Sequence, residues 1–233
     1  MEEARALIAQ AGVVASFSGS GLSRESGIHT FRDDDGIWTK VDPMKMASIE
    51  GFLADPEGVT EWYDERRKFI AAAKPNDAHR ALAGFTGMVH ITQNIDRLLE
   101  KAGAPRVVHL HGHVDEDHCL EECGYSEVVD PLEPRGLRTC ASCGALMRPS
   151  IVLFGEMLPE GEWMRAHMAV VAADVLLVVG TSAEVYPAAG LIALARDHGA
   201  RVIVVNTQPS AASGLATVEL IGQAGDILPE LLA

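Results

Sequence analysis

Apolar positions along this chain alternate between two periods. Residues 2–11 carry Ala4, Leu7, Ile8 and Ala11 at the spacing of one helix face, and Gly12 ends the pattern. Residues 13–17 follow as a short apolar strand that runs into Ser18-Gly19-Ser20-Gly21, a small-residue turn opening toward another helix. Asp55 before Pro56 places an N-cap ahead of proline at the first helical position, so a long polar helix is predicted to about residue 73. Lys74-Pro75-Asn76 breaks it, and Asn76 can cap a short helix through Leu82. Apolar runs at 88–92, 107–110, 151–154, 175–179 and 202–205 read as buried strands. Helical stretches at 95–101, 159–173 and 187–198 separate most of them, with Gly103 and Gly199 where helix C-caps belong. Strands alternating with helices predict an α/β fold, a Rossmann-like parallel sheet covered on both faces.

Two segments break this rhythm. Residues 32–74 hold a loop and helices without a clear strand, and residues 114–149 are polar, turn-rich and contain every cysteine. They read as inserts that pack together into a smaller domain: a helical insert with its loop, and a cysteine-bearing zinc ribbon. Residues 1–31, 75–113 and 150–233 then form the Rossmann-like domain, and the cleft between the two is the expected site.

Composition narrows the class. A chain of 233 residues with 48% hydrophobic and 22% charged residues matches a folded globule rather than a disordered, collagenous or membrane-inserted chain. The formal net charge of −14 repels phosphate backbones, so nucleic-acid partners are not expected. The chain opens Met1-Glu2-Glu3 without a basic or apolar leader, and Asp174 interrupts the longest apolar stretch, 168–180. The expectation is a cytoplasmic protein with no membrane partner; the oligomeric state is left open.

The four cysteines form two close pairs, Cys119-x-x-x-Cys123 and Cys140-x-x-Cys143. In a reducing compartment such pairs point to metal ligation before disulfides. Four thiolates make a closed tetrahedral Zn²⁺ site, hence a structural ion. Free thiols or two disulfides are the alternatives. The first pair is one residue wider than usual, so His118 could stand in for Cys119.

Gly19 and Gly21 let phosphate oxygens approach backbone N–H groups. The third small residue of a dehydrogenase fingerprint is replaced by Arg24, and no Lys-Ser/Thr pair follows to make a P-loop. The continuation is more specific. Gly19-Ser20-Gly21-Leu22-Ser23, then Ser26-Gly27-Ile28-His29-Thr30-Phe31-Arg32, then Gly36-Ile37-Trp38, resembles the opening signature of the sirtuins, NAD-dependent protein-lysine deacylases. Ser20 stands for the usual alanine, Leu22 for isoleucine or valine, and His29 for proline, which removes a fixed φ from the loop. Thr92-Gln93-Asn94-Ile95-Asp96, His111-Gly112, the cysteine pairs, Phe154-Gly155-Glu156, Gly180-Thr181-Ser182, Val185-Tyr186-Pro187, Asn206 and Gly225-Asp226-Ile227 follow in the family's order over nearly the whole chain.

The resemblance implies NAD, consumed as co-substrate, and acyl-lysine proteins or peptides as partners. It gives His111 the role of general base, which suits an imidazole titrating near neutral pH. His109 shares its strand face, so geometry alone leaves a swap between the two open. By the same resemblance Gln93 and Asn94 contact the nicotinamide ribose and Asp96 the carboxamide. Phe31 shields the reacting ribose carbon and Arg32 meets the pyrophosphate. Gly180, Thr181 and Ser182 join Gly19, Ser20 and Gly21 on the phosphates, and Asn206 takes the adenosine ribose. Phe154, Gly155, Glu156 and Val185 flank the substrate backbone. Tyr63 and Arg66, three apart on one helix face, resemble the pair with which class III sirtuins bind a substrate carboxylate. A phenol and a guanidinium fork suit a succinyl or malonyl group. The alternative is mono-ADP-ribosyl transfer or NAD hydrolysis on the same fold.

Overall fold

A computed structural model describes residues 1–30, 39–133 and 135–233. Six strands form one parallel sheet: β1 (Val14–Ser18), β2 (Val89–Thr92), β3 (Val107–His109), β7 (Val175–Val179), β8 (Arg201–Asn206) and β9 (Val218–Ile221). Their order is β3-β2-β1-β7-β8-β9, so the chain winds outward in both directions from the junction of β1 and β7. Three further strands, β4 (Gly112–Cys119), β5 (Ser126–Val128) and β6 (Met147–Ile151), form a separate antiparallel sheet in the order β5-β4-β6.

Period-two alternation in β7 explains the layering. Leu176 and Val178 enter the core on one face of the large sheet, with Phe17, Ile91 and Leu191. Val175, Leu177 and Val179 enter the core on the other, with Leu22, Leu82 and Leu228. All five are buried, so every turn of the pattern adds a core side chain, worth about 2 kcal/mol each. Helices α1 (Glu2–Gln10), α6 (Asp77–Gly84) and α10 (Ala224–Leu231) cover the second face, and α8 (Glu160–Ala172) and α9 (Gly190–Asp197) cover the first.

The cap chemistry acts as expected. Asp55 accepts from Gly58 N–H at the start of α5 (Pro56–Ala72), and Asn76 accepts from His79 N–H in a reciprocal capping box at α6. Short helices α3 (Pro43–Met46) and α4 (Ile49–Ala54) precede α5. A third apolar cluster, with Phe52, Val59, Tyr63, Ile70, Val114, Ile151 and Leu153, packs these helices onto the small sheet.

Three expectations change. The run 151–154 is not a strand of the parallel sheet: β6 lies antiparallel to β4, and its continuation buries Ile151 and Leu153 but leaves Phe154 39% exposed. That alternation marks a half-buried segment rather than one buried on both faces. The helix expected at 95–101 is a single turn, α7 (Leu98–Lys101), and the helix after the glycine turn, α2 (Gly21–Arg24), is equally short. The edge strand β9 and α10 were not foreseen from the pattern, because β9 is only half-buried and α10 contains Pro229.

Candidate functional site

The loops leaving the C-terminal ends of β1 and β7 cross almost in contact. Gly21 N–H donates to the Gly180 carbonyl at 2.9 Å, and Gly19 N–H to the Val179 carbonyl at 3.0 Å. A Cβ on Gly21 would lie 2.7 Å from Gly180 Cα, and one on Gly19 2.8 Å from Thr181 Cβ. Gly180 itself has φ +59°. Glycine here allows two backbones to pass, and the N–H groups of Gly19, Gly21 and Gly180 are all spent on backbone carbonyls, so the expectation that the two glycines of the turn offer free N–H donors to a phosphate is not met. A cavity of about 360 Å³ lies over this crossing, lined by Ser20, Gly21, Gly180, Thr181, Ser182 and Asn206, among others. A second, of about 220 Å³, adjoins it through Ser20, Thr181 and Ser182. Both open where the strand order reverses, the position where open α/β sheets take ligands.

Gln93 and Asn94 leave β2 into the smaller cavity. Gln93 Nε2 donates to Thr181 Oγ1 at 3.1 Å, and Asn94 Nδ2 to the Gly19 carbonyl at 3.1 Å and Ser23 Oγ at 3.2 Å. Asn206 Nδ2 donates to the Thr181 carbonyl at 3.1 Å. The amides thus tie the loops after β1, β2, β7 and β8 into one rim.

His111 lines the smaller cavity, with Nδ1 3.0 Å from the Gln93 carbonyl. A carbonyl only accepts, so Nδ1 carries the proton and a neutral ring keeps Nε2 as its basic atom. Burial pushes its pKa below the ordinary histidine value, partly opposed by the hydrogen bond to Gln93. His109 is 4% exposed and lines neither cavity. Both its nitrogens are occupied, Nδ1 by the Asn94 carbonyl at 3.0 Å and Nε2 by Glu100 at 2.7 Å. Of the two histidines left open by the sequence, only His111 faces the cavity.

The opposite wall comes from α5 and the segment after β6. Tyr63 lines the cavity, 4% exposed; burial holds its phenol well above the usual range, against the Arg66, Arg148 and Arg67 charges, so it stays a neutral donor. Arg66 is not among the lining residues. Its guanidinium sits 5.0 Å from the centre of the Trp62 ring, and burial lowers its pKa. Phe154, Gly155, Glu156 and Val185 all line the cavity. Phe154 is fixed from both sides of its peptide unit: its N–H donates to the Ala47 carbonyl at 2.7 Å, and its carbonyl accepts from Ile49 N–H at 3.0 Å. Arg148 grips both Glu156 oxygens, and Glu156 Oε2 also accepts from Leu153 N–H at 2.7 Å, so this carboxylate braces the loop.

Away from the cavities, the four cysteine sulfurs lie within 4.8 Å of one another. Cys119 and Cys143 are 3.3 Å apart, and Cys123 and Cys140 3.5 Å, too long for disulfides. Tetrahedral Zn–S bonds of about 2.3 Å put sulfurs about 3.8 Å apart, so the donor set fits such a metal. Inside the wider first pair Glu122 adopts φ +49°, in the left-handed region. His118 instead turns to Ser150 Oγ at 3.2 Å. The Ala145 N–H draws the Cys143 thiol down, but Cys119, burial and the other two sulfurs outweigh it and push it up to about 12.

Asp96 is placed differently from its expected role. It lies behind Asn94, 7% exposed, accepting from Ser23 Oγ at 2.9 Å and Leu98 N–H at 3.0 Å, and lines neither cavity. Burial raises its pKa against those hydrogen bonds. Phe31 and Arg32 lie outside the described residues. The sequence reading missed Ser23 and His79, 3.4 Å apart in the support behind Asn94, and Arg148. Buried hydrogen-bond partners of this kind have no periodic signal.

Comparison with known proteins agrees with this architecture. The model of the Sir2 family matches residues 19–187. A protein of Mycobacterium tuberculosis (strain ATCC 25177 / H37Ra) named NAD-dependent protein deacylase is 45% identical over 228 residues, covering 94% of this chain and 96% of its own. A protein of the same name from Pyrococcus furiosus is 41% identical, covering 99% and 96%. The solved structure of a Sir2 homolog–NAD complex superposes with TM-score 0.93 at 38% identity, covering all of this chain and 92% of that one. A Sir2 structure with a deacetylated p53 peptide and 3′-O-acetyl ADP ribose gives TM-score 0.91 at 31% identity, covering 100% and 97%. On the match of more than half its length and on relatives this similar, the chain belongs to the Sir2 family, the sirtuins.

Proposed function

We propose that this chain is an NAD-dependent protein-lysine deacylase that prefers acidic acyl groups, succinyl and malonyl, and also accepts acetyl. One observation carries the deacylase reading: His111, its tautomer set by the Gln93 carbonyl, faces a cavity that adjoins the glycine crossing. The NAD and ADP-ribose complexes of similar Sir2 structures support it, as do the names of the relatives.

In this reading NAD lies along the rim made by Gly19, Ser20, Gly21, Gly180, Thr181 and Ser182, with Asn206 at the adenosine end. Bound there, it would supply a ribose carbon open to attack by the acyl oxygen, with nicotinamide as the leaving group. Gln93 and Asn94 orient that ribose, and Asp96 keeps Asn94 in place through Ser23. His111 Nε2 takes the proton of a ribose hydroxyl. The peptide lies as a strand between 154–156 and Val185. Cys119, Cys123, Cys140 and Cys143 hold one structural Zn²⁺, and the fit of their spacing to a tetrahedron supports that assignment.

The acyl preference rests on Tyr63 in the cavity wall and the Arg66 guanidinium one turn away, stacked on Trp62. The test compares succinyl- and acetyl-lysine peptides of one sequence. Arg66→Met is expected to lower kcat/KM for the succinyl peptide by about a hundredfold, the scale of a lost charged hydrogen bond, with the acetyl peptide changed far less. Equal losses on both peptides refute the acidic-acyl preference.

A further inference from the structure

The helix that carries Tyr63 is held by a buried chain of alternating charges. Arg67, 2% exposed, donates from Nε to the Val114 carbonyl at 2.6 Å, from Nη1 to Asp64 Oδ1 at 2.6 Å, and from Nη2 to Asp117 Oδ1. Asp117, also buried, accepts at Oδ2 from Arg138 Nη2 at 2.7 Å, and Arg138 Nη1 reaches Glu127. Asp64 Oδ2 accepts from Gly136 N–H at 3.1 Å. Asp64 and Arg67 belong to α5; Val114, Asp117 and Glu127 belong to the small sheet, and Gly136 and Arg138 to the segment before β6. Asp117 stands two residues before Cys119, and Arg138 two before Cys140.

Such a network is poorly explained by stability alone. Removing ions from water costs several kcal/mol each, and apolar packing of equal volume often does as well. What it does supply is orientation. Arg67 lies four residues after Tyr63, on the same side of the helix. A helix held only by apolar contacts can roll about its axis. With Cα atoms about 2.3 Å from the axis and a phenol oxygen about 6 Å further out, a roll of about 20° moves that oxygen by about 3 Å. The guanidinium bonded along three directions blocks that roll. In the same wall Arg148, from β6, grips Glu156 and donates to the Ile151 carbonyl at 2.7 Å.

We propose that Arg67 is a positioning residue for the acyl-lysine half of the site: by locking α5 to the cysteine-bearing sheet through Asp117 and Arg138, it sets Tyr63 in the cavity wall. The proposal rests on the deacylase reading above. It adds that the cysteine-bearing sheet orients the substrate wall. The cofactor rim, built on β1, β2, β7 and β8, does not depend on this lock.

The test is steady-state kinetics of Arg67→Lys, which keeps the charge but loses the planar fork, with each KM measured separately and NAD affinity measured by calorimetry. The expected result is a rise of about tenfold in KM for the succinyl peptide and a smaller rise for the acetyl peptide, consistent with ångström-scale misplacement of Tyr63. KM and Kd for NAD stay within about twofold. Should Arg67→Lys fail to melt cooperatively, Asp117→Asn serves instead, with the same split expected at about threefold. An unchanged peptide KM in a folded variant, or equal rises for peptide and NAD, overturns the positioning role and leaves the deacylase reading standing. A wild-type chain that turns over no acylated peptide overturns both.

Discussion

A single hydrogen bond decides which atom of His111 can act as a base. With Nδ1–H held by the Gln93 carbonyl, only Nε2 is available toward the cavity. Because burial lowers its pKa, the neutral, basic form persists below the ordinary histidine range. The acid limb of kcat/KM against pH is therefore expected to have its midpoint below the free-histidine value of 6.5. His111→Ala should keep its affinity for NAD and lose turnover by at least a hundredfold. Near-normal turnover in that variant removes His111 from the role. His111 could be singled out in the sequence because it precedes Gly112. The exclusion of His109 needed the fold, since Glu100 comes from α7 and the Asn94 carbonyl from the turn before it.

At the scale of elements, the legible parts were those whose physics is local. The caps at Asp55 and Asn76 act within three residues, and β7 repeats a buried pattern without interruption. The segment 151–154 misled because four apolar residues in a row carry no sign of which sheet they will join. The small sheet was equally hidden: β4, with the sequence Gly-His-Val-Asp-Glu-Asp-His-Cys, is polar, and its Asp117 pairs with Arg67 of α5 and with Arg138 while its Asp115 pairs with Arg97. The glycine crossing was legible as a turn but not as a contact between β1 and β7, whose loops are distant in sequence. Gly21→Ala is accordingly expected to do more than weaken NAD binding. A Cβ 2.7 Å from Gly180 Cα must push the two loops apart, so thermal unfolding should show a lowered Tm even without NAD. An unchanged Tm would mean the loops yield easily. The clustered cysteine sulfurs make a comparable prediction. Freshly purified protein should carry about one zinc per chain, and a ratio near zero by elemental analysis refutes that site.

Across the whole molecule, buried neutral histidines tie stability to pH. Burial, with smaller contributions from neighbouring charges, pushes His79, His90 and His113 each down to about 4, against 6.5 for an unshifted ring. The unfolded chain takes up protons at these rings as pH falls through about 6.5, whereas the fold does not until about 4. Their contribution is therefore complete above that window and is lost through it, at up to about 1.4 kcal/mol per pH unit for each ring. The urea midpoint should fall between pH 6.5 and pH 4.5, and His90→Gln, which keeps a polar partner for Ser16, should flatten that slope. A slope unaffected by the substitution contradicts the assignment. The global charge of −14 acts on long-range partners, while the positive charges of Arg66, Arg148 and Arg67 are felt locally by the Tyr63 phenol. Among the described residues no helix is long and apolar enough to cross a membrane.

The central claim is that NAD cleavage in this protein serves acyl transfer from lysine. Its most direct test is mass spectrometry of reactions containing NAD and matched acetyl-, malonyl- and succinyl-lysine peptides, with a reaction lacking peptide beside them. The account predicts free lysine peptide, nicotinamide and acyl-ADP-ribose in equal amounts, formed fastest from the succinyl and malonyl peptides, and little nicotinamide without peptide. Nicotinamide released at the same rate without acylated peptide, or ADP-ribose attached to protein in place of acyl-ADP-ribose, would contradict it.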